Sequence, residues 1–399
     1  MLLPNILISD IAGPLSRDER FREFLRLAGD YMERSVGKRM VRRSLEAPVL
    51  TGEMREKVWY KLPIPEGKSG DGSEYHVFVK KADPKKLCIF FSGGGVAWNA
   101  YTAARPITGG RVLAGEPNFY THNLRPVTQL ANINVGITES GRKRNPFDDW
   151  SFLIITYSTG DIHVGSSELP FTDEEGQPRT LHFNGYNNFR AAMDHFHELF
   201  PLAEQLLIAG CSAGGFAVPA LAGEILEDYY PDCPDITLLS DSAQLEYGDW
   251  QTIVRDVWHA KERLWRCIDH ENLTLCWYKA LHREYGSRFR YLYASSTRDF
   301  LLSAYNNDIR NKSFTTDPKV QKQFGRRLKE MILSLHELDP GFGFFIHGIR
   351  NPVTIWGGTV HTIVREPYFY RRLKSGVSMA DWLEAAVSGD VRNIGVRIP

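Results

Sequence analysis

The 399-residue chain predicts an α/β fold built on a mostly parallel central sheet with helices on both faces. Several strand-length segments are continuous apolar runs rather than apolar–polar alternations, as strands buried on both faces require. These runs alternate with stretches of helical length, the mark of strand–helix–strand units. Long segments rich in Gly, Pro and Asn lie between them and place extended loops over the carboxyl edge of the sheet.

Residues 17–35 (RDERFREFLRLAGDYMERS) carry helical periodicity, with Phe21, Phe24, Leu25 and Leu27 toward one side. Strands are predicted at 56–61, 75–80, 86–91, 152–157, 205–209, 236–240, 290–294 and 352–356. Helices are predicted at about 186–200, 214–229, 250–264 and 321–337. Pro63, Pro65, Gly67, Gly70 and Gly72 mark a turn between the first two strands. Segments 104–150 and 158–185 read as irregular, and loops of that length commonly form lids or substrate-binding walls.

Lys plus Arg and Asp plus Glu balance at 48 each, without the basic excess of a nucleic-acid binder. The basic clusters Lys38, Arg39, Arg42, Arg43 and Arg142, Lys143, Arg144 read as solvated faces. No apolar stretch approaches the 18 residues of a membrane span. The five cysteines (Cys88, Cys211, Cys233, Cys267, Cys276) are too few for a disulfide scaffold, and spacing leaves a Cys267–Cys276 pairing open. No signal peptide is evident at the N-terminus, so a cytoplasmic location is expected.

Residues 207–215 read LIAGCSAGG. Gly210-Cys211-Ser212-Ala213-Gly214 is a GxSxG between a predicted strand and a predicted helix, the context of a nucleophile elbow. Small residues are needed there because larger side chains would strike the adjoining strand and helix backbone. Ser212 stands at a helix N-terminus, whose partial positive charge favours a developing anion. Upstream, KLCIFFSGGGVAW (86–98) runs a buried strand into Gly93-Gly94-Gly95. Backbone N–H groups of Gly94, Gly95 or Val96, with that of Ala213, are candidate donors to an oxyanion.

In an α/β-hydrolase the triad follows the order Ser, acid, His. Two strands beyond Ser212, the sequence Ser295-Ser296-Thr297-Arg298-Asp299 makes Asp299 the candidate acid. Asp241, just past the intervening strand, is a rival, and Asp308 a weaker one. His361 follows the last predicted strand in PVTIWGGTVH, where Gly357 and Gly358 allow the chain to turn toward Ser212. His163 could line the pocket, whereas His347 is expected to be packed or exposed. His195 and His197, two apart on a helix, face different ways. No HExxH or related metal spacing occurs, so neither metal nor cofactor is indicated. Residues 1–50 are expected to form a helical extension packed on the core, and 51–399 a single α/β-hydrolase-like catalytic domain.

Together, FFSGGGVAW, RNPFDDWSFLIITYSTGDIHVG (144–165), GCSAGG (210–215), SDSAQ (240–244), SSTRDFLLSAY (295–305) and GGTVHT (357–362) resemble the pectin acetylesterase and Notum carboxylesterase family over roughly residues 75–370. The resemblance places the family triad on Ser212, Asp299 and His361. It departs from the family where Val96 and Ala97 replace a Trp and a Cys, and where the secreted members' cysteine framework is missing, which fits an intracellular protein.

The expected reaction is ester hydrolysis through an acyl-enzyme. An O-acetyl group on a carbohydrate is the first substrate suggested by the resemblance. A fatty-acyl deacylase is the alternative within the fold, and a non-catalytic ligand-binding protein the alternative from another class. Trp98, Tyr101, Phe119, Tyr120, Phe147 and Trp150 are candidates to stack a sugar or hold an acyl chain. The expected partner is a small-molecule or carbohydrate ester, without nucleic acid or a membrane span. Oligomeric state is left open.

Overall fold

The apolar runs fold into strands with a hydrophobic core on each side. In the computed structural model, which describes residues 23–29, 31, 47–125, 131–352 and 357–396, ten strands are present: β1 (Trp59–Lys68), β2 (Glu74–Lys80), β3 (Asp83–Phe91), β4 (Trp150–Ile155), β5 (Ser167–Thr172), β6 (Pro178–Phe183), β7 (Gln205–Cys211), β8 (Asp235–Asp241), β9 (Arg290–Ser296) and β10 (Gly343–His347). Eight form one sheet in the order β1-β2-β4-β3-β7-β8-β9-β10, while β5 and β6 pair as a separate hairpin. Both neighbours of β2 are antiparallel to it. The pairs from β4 to β10 are parallel. This is the mostly parallel sheet that the sequence predicts.

Alternate residues of one strand enter different cores. Leu87, Ile89 and Phe91 of β3 join one, and Cys88 and Phe90 join the other. Leu206 and Ile208 of β7 divide from Leu207 and Ala209 in the same way. With both faces buried few positions can be polar, so such a strand reads as a nearly unbroken apolar run. The longer helices are α1 (Gly185–Leu199), α2 (Ala213–Asp228), α3 (Leu273–Tyr285), α4 (Phe300–Asn311), α5 (Pro318–Leu338) and α6 (Met379–Val387). α1, α2, α3 and α5 cover the first core, and α6 with the segment 360–369 covers the second.

The structure departs from the sequence-based expectations at definite places. The eighth strand of the sheet is Gly343–His347, which precedes the expected 352–356; residues 353–356 of that expected strand lie outside the described residues. Pro63 and Pro65 fall inside β1 rather than in a turn. β1 is an edge strand, where a missing N–H is tolerated. Segment 158–185 contains the β5–β6 hairpin, and 104–150 contains a short helix at Gly109–Ala114. The expected helix 250–264 is broken into short turns at Trp250–Thr252, Ile253–Val257 and Glu262–Arg266. Helices α3, α4 and α6 lie outside the expected helical segments. Of the expected helix 17–35, residues 23–29 and 31 are helical; the rest of it, and the basic cluster 38–43, lie outside the described residues. All five cysteines, Cys267 and Cys276 included, are free.

Candidate active site

Strand ends at the carboxyl edge of the sheet bring the predicted residues together, where open α/β sheets bind their ligands. β7 ends at Cys211, and Ser212 follows with φ 54° and ψ −125° before α2 begins. A non-glycine residue in that region is strained by roughly 1–3 kcal/mol and persists only where its surroundings enforce it. Here the Ser212 N–H donates to the Asp241 carbonyl at 2.8 Å. The residues two before and two after it must be glycines. A Cβ on Gly210 would lie 2.1 Å from the Gly214 oxygen, and one on Gly214 would lie 2.0 Å from the Phe91 oxygen. The Ser212 hydroxyl makes no capping bond to α2; the residue lines a small pocket.

The glycine-rich loop leaves β3 and passes beside this turn. Thr121 N–H donates to the Gly94 carbonyl and Val96 N–H to the Phe119 carbonyl, each at 2.7 Å. The Val96 amide is therefore spent, which removes it from the candidate oxyanion donors. The N–H groups of Gly94, Gly95 and Ala213 have no acceptor among the described residues.

Asp299 and His361 meet. Asp299 caps α4, with Oδ1 accepting the Leu301 and Leu302 N–H groups at 3.0 and 2.9 Å. Its Oδ2 accepts from His361 Nδ1 at 2.7 Å. The loop carrying His361 is zipped to the loop carrying Asp299 through Thr359, whose N–H donates to the Arg298 carbonyl at 2.9 Å and whose hydroxyl donates to Ser296 at 2.8 Å. Gly357 and Gly358 before it take φ of 71° and 83°, the turning freedom expected of them. His361 Nε2 is buried and has no hydrogen-bond partner among the described residues. Burial works against the imidazolium, but the Asp299 carboxylate, helped by Asp241 and Glu366, outweighs it and holds His361 above the ordinary histidine value.

Asp241 does not touch the imidazole ring. Its Oδ2 accepts the Ile363 and Val364 N–H groups at 2.8 and 2.9 Å, while Oδ1 accepts the Ser242 hydroxyl at 3.0 Å. Since its carbonyl also holds the Ser212 N–H, Asp241 ties the elbow to the histidine loop. That role is invisible in sequence, because Ser212 lies 29 positions before Asp241 and Ile363 lies 122 after it. Asp308 lies buried on α4, with Oδ1 unpartnered among the described residues.

Other candidates are placed differently. His163 is buried, and its Nε2 donates to the Ser92 carbonyl at 2.9 Å, while its neighbour Ile162 lines the pocket beside Ser212. Burial pushes His163 down to about 4, so the ring is neutral. Ile162 and His163 have φ of 56° and 64°, a strained pair anchored by Asp161, whose carboxylate accepts from the Thr159 hydroxyl, the His163 N–H and the Gly185 N–H. His347 ends β10 and is buried. His195 approaches Glu66, and His197 stacks on Tyr229 and Tyr230. Trp98, Phe119, Tyr120, Phe147 and Trp150 are buried in the cores. Of the aromatic residues proposed to meet substrate, only Tyr101 is exposed, at 41%. The pocket beside Ser212 is a cavity of about 20 Å³ walled by Ile162, Phe216, Leu245, Leu302 and Tyr305.

No His/Cys/Asp/Glu cluster able to hold a metal occurs among the described residues. None of their helices is long and apolar enough to cross a membrane.

The strand order, the strained serine turn and the glycine-rich loop at the carboxyl edge define the class: an α/β-hydrolase-like protein. The family model of the pectinacetylesterases matches residues 71–246, a stretch that contains the glycine-rich loop, Ser212 and Asp241. By this match residues 71–246 are similar to the pectinacetylesterases, and the protein is a carboxylic ester hydrolase. Asp299 and His361 lie beyond the matched stretch. Comparison with curated proteins gave no match.

Proposed function

We propose that the protein removes a short acyl group, foremost acetyl, from a carbohydrate ester through an acyl-enzyme on Ser212. The observation that carries this reading is the buried His361–Asp299 contact of 2.7 Å, with the second imidazole nitrogen unpartnered on a loop that Asp241 ties to the Ser212 turn. Asp299 keeps the His361 proton on Nδ1, so Nε2 presents a lone pair. Nε2 takes the Ser212 proton as Oγ bonds the ester carbonyl carbon. The carbonyl oxygen becomes an oxyanion facing the N–H groups of Gly94, Gly95 and Ala213. As the intermediate collapses, the carbon–alkoxy bond breaks and His361 gives the proton to the departing alcohol. Water, deprotonated by His361, then cleaves the Ser212 ester and releases the acid.

The size of the pocket supports a short acyl group. A single water needs roughly 10–15 Å³ of such space, so about 20 Å³ suits a methyl group and little more. The carbohydrate portion rests on the family alone.

A panel of p-nitrophenyl esters from acetate to palmitate tests the acyl length: turnover should be greatest for acetate and fall steeply beyond butyrate. Preference for octanoate or longer would replace this reading with a lipid deacylase. A fluorophosphonate should label wild-type protein stoichiometrically and Ser212→Ala not at all; labelling that survives the substitution would remove Ser212 from the mechanism.

A further inference from the structure

One residue touches both the pocket and the glycine-rich loop, and the proposed mechanism leaves it without a role. Tyr305 lies on α4, the helix that Asp299 caps, and lines the pocket beside Ser212. Its hydroxyl is buried and donates to the Phe119 carbonyl at 2.5 Å. Burial pushes the phenol far above its ordinary range, so it remains a donor at any working pH. The same carbonyl accepts the Val96 N–H at 2.7 Å, so its two lone pairs are both used. Across the bridge between Gly95 and Tyr120, Thr121 holds the Gly94 carbonyl. Segment 119–121 thus grips the loop on both sides of Gly95.

There is little slack in this arrangement. Gly95 has φ 79°, and a Cβ on it would lie 1.9 Å from the Phe119 oxygen and 2.7 Å from the Tyr305 hydroxyl. The orientation of the Phe119 peptide therefore sets the orientation of the Gly94–Gly95 peptides, whose N–H groups have no acceptor among the described residues. Without the phenol, Val96 alone would restrain that carbonyl, and the peptide plane could rotate. An oxyanion donor acts only when its N–H is aimed at the developing charge.

We propose that Tyr305 is a positioning residue: through the Phe119 carbonyl it fixes the amide directions of the glycine-rich loop from the helix that also seats Asp299. The inference rests on the esterase reading of Ser212. It makes one helix responsible for both the imidazole's partner and the oxyanion donors.

The test is Tyr305→Phe, which keeps the ring and removes the hydroxyl. With p-nitrophenyl acetate, kcat should fall roughly tenfold or more while KM stays within about twofold, a split that follows when an interaction made only in the transition state is lost. Propylboronic acid, which forms a tetrahedral adduct on the serine, should lose affinity by the same factor as kcat/KM. The acidic limb of the pH profile should not move, because the His361–Asp299 contact is untouched. Phe314→Leu serves as the control: the Phe314 ring packs 5.2 Å from that of Tyr305, so the change weakens packing and spares the hydroxyl. It should lower the unfolding temperature without weakening the boronate.

Unchanged kcat/KM and boronate affinity in Tyr305→Phe would overturn the proposal, as would an equal loss of boronate affinity in Phe314→Leu. Wild-type protein that neither turns over esters nor is labelled at Ser212 would instead sink the esterase reading, and this inference with it.

Discussion

Replacing Asp299 by Asn should disable the protein without unfolding it, and the hydrogen bonds show why. Oδ1 of Asp299 accepts two backbone N–H groups, from Leu301 and Leu302. In the Asn variant the amide oxygen must occupy that position, because an NH₂ there would face two donors. The NH₂ then replaces Oδ2 and points at His361 Nδ1. The imidazole must accept at Nδ1 and carry its proton on Nε2, which presents an N–H to Ser212 where a lone pair is needed. A tautomer error of this kind costs roughly 10⁴-fold in kcat, about 5 kcal/mol of barrier. The helix cap survives, so stability should change by less than about 1 kcal/mol. Asp241→Asn behaves differently. Its amide oxygen can keep the Ile363 and Val364 bonds, with NH₂ toward the Ser242 hydroxyl, which can rotate to accept. Burial already pushes the Asp241 carboxyl up, so a neutral group there is a mild change. The lost charge near His361 should cost roughly tenfold at most, about one pKa unit of imidazolium stabilisation. Initial rates on p-nitrophenyl acetate, with unfolding midpoints for both variants, decide the matter. A larger loss in Asp241→Asn, or Asp299→Asn within tenfold of wild type, would refute the tautomer argument.

Three further outcomes are expected. Since His361 is held above the ordinary histidine value and must be neutral to accept the Ser212 proton, kcat/KM should fall as pH drops through a pKa above about 6.5; a profile of kcat/KM against pH with its acidic limb at or below 6.5 would contradict this. Asp161→Asn should destabilise by about 1–3 kcal/mol, because either amide orientation leaves the Gly185 or the His163 N–H without an acceptor. Burial raises the Asp161 carboxyl from 3.8 to about 6; its contribution to stability is fully present below the unfolded value and is lost as pH rises through the folded one, so denaturant titrations of the variant should show a flatter pH dependence between those two values. Gly210→Ala places a Cβ 2.1 Å from the Gly214 oxygen and should lower stability by roughly 3 kcal/mol or more, seen as a large drop in unfolding midpoint; a midpoint equal to wild type would mean that the elbow is looser than its contacts imply.

The sequence by itself determined seven of the eight strands of the sheet, the strand–turn–helix of the elbow and a short list of candidate partners for Ser212. Strands β3, β4 and β7 were legible because burial on both faces leaves few polar positions, and a run such as LCIFF admits few other readings. Ser212 was legible because a strained turn squeezed between strand and helix tolerates only small neighbours, so the backbone writes its geometry into Gly210, Ala213 and Gly214. The candidate acid and histidine followed from strand order, although sequence left Asp299, Asp241 and Asp308 in competition. Tertiary structure separated them by contact: Asp299 on the imidazole, Asp241 on the backbone of residues 363 and 364, and Asp308 without a partner for Oδ1. It also withdrew Val96 from the oxyanion donors, buried five of the six aromatics offered to substrate, and brought Tyr305 against the glycine-rich loop. Those outcomes depend on contacts between residues 23 to 186 positions apart. Periodicity and local propensity register which face of an element is buried, but which carbonyl meets which hydroxyl is decided only when distant segments pack.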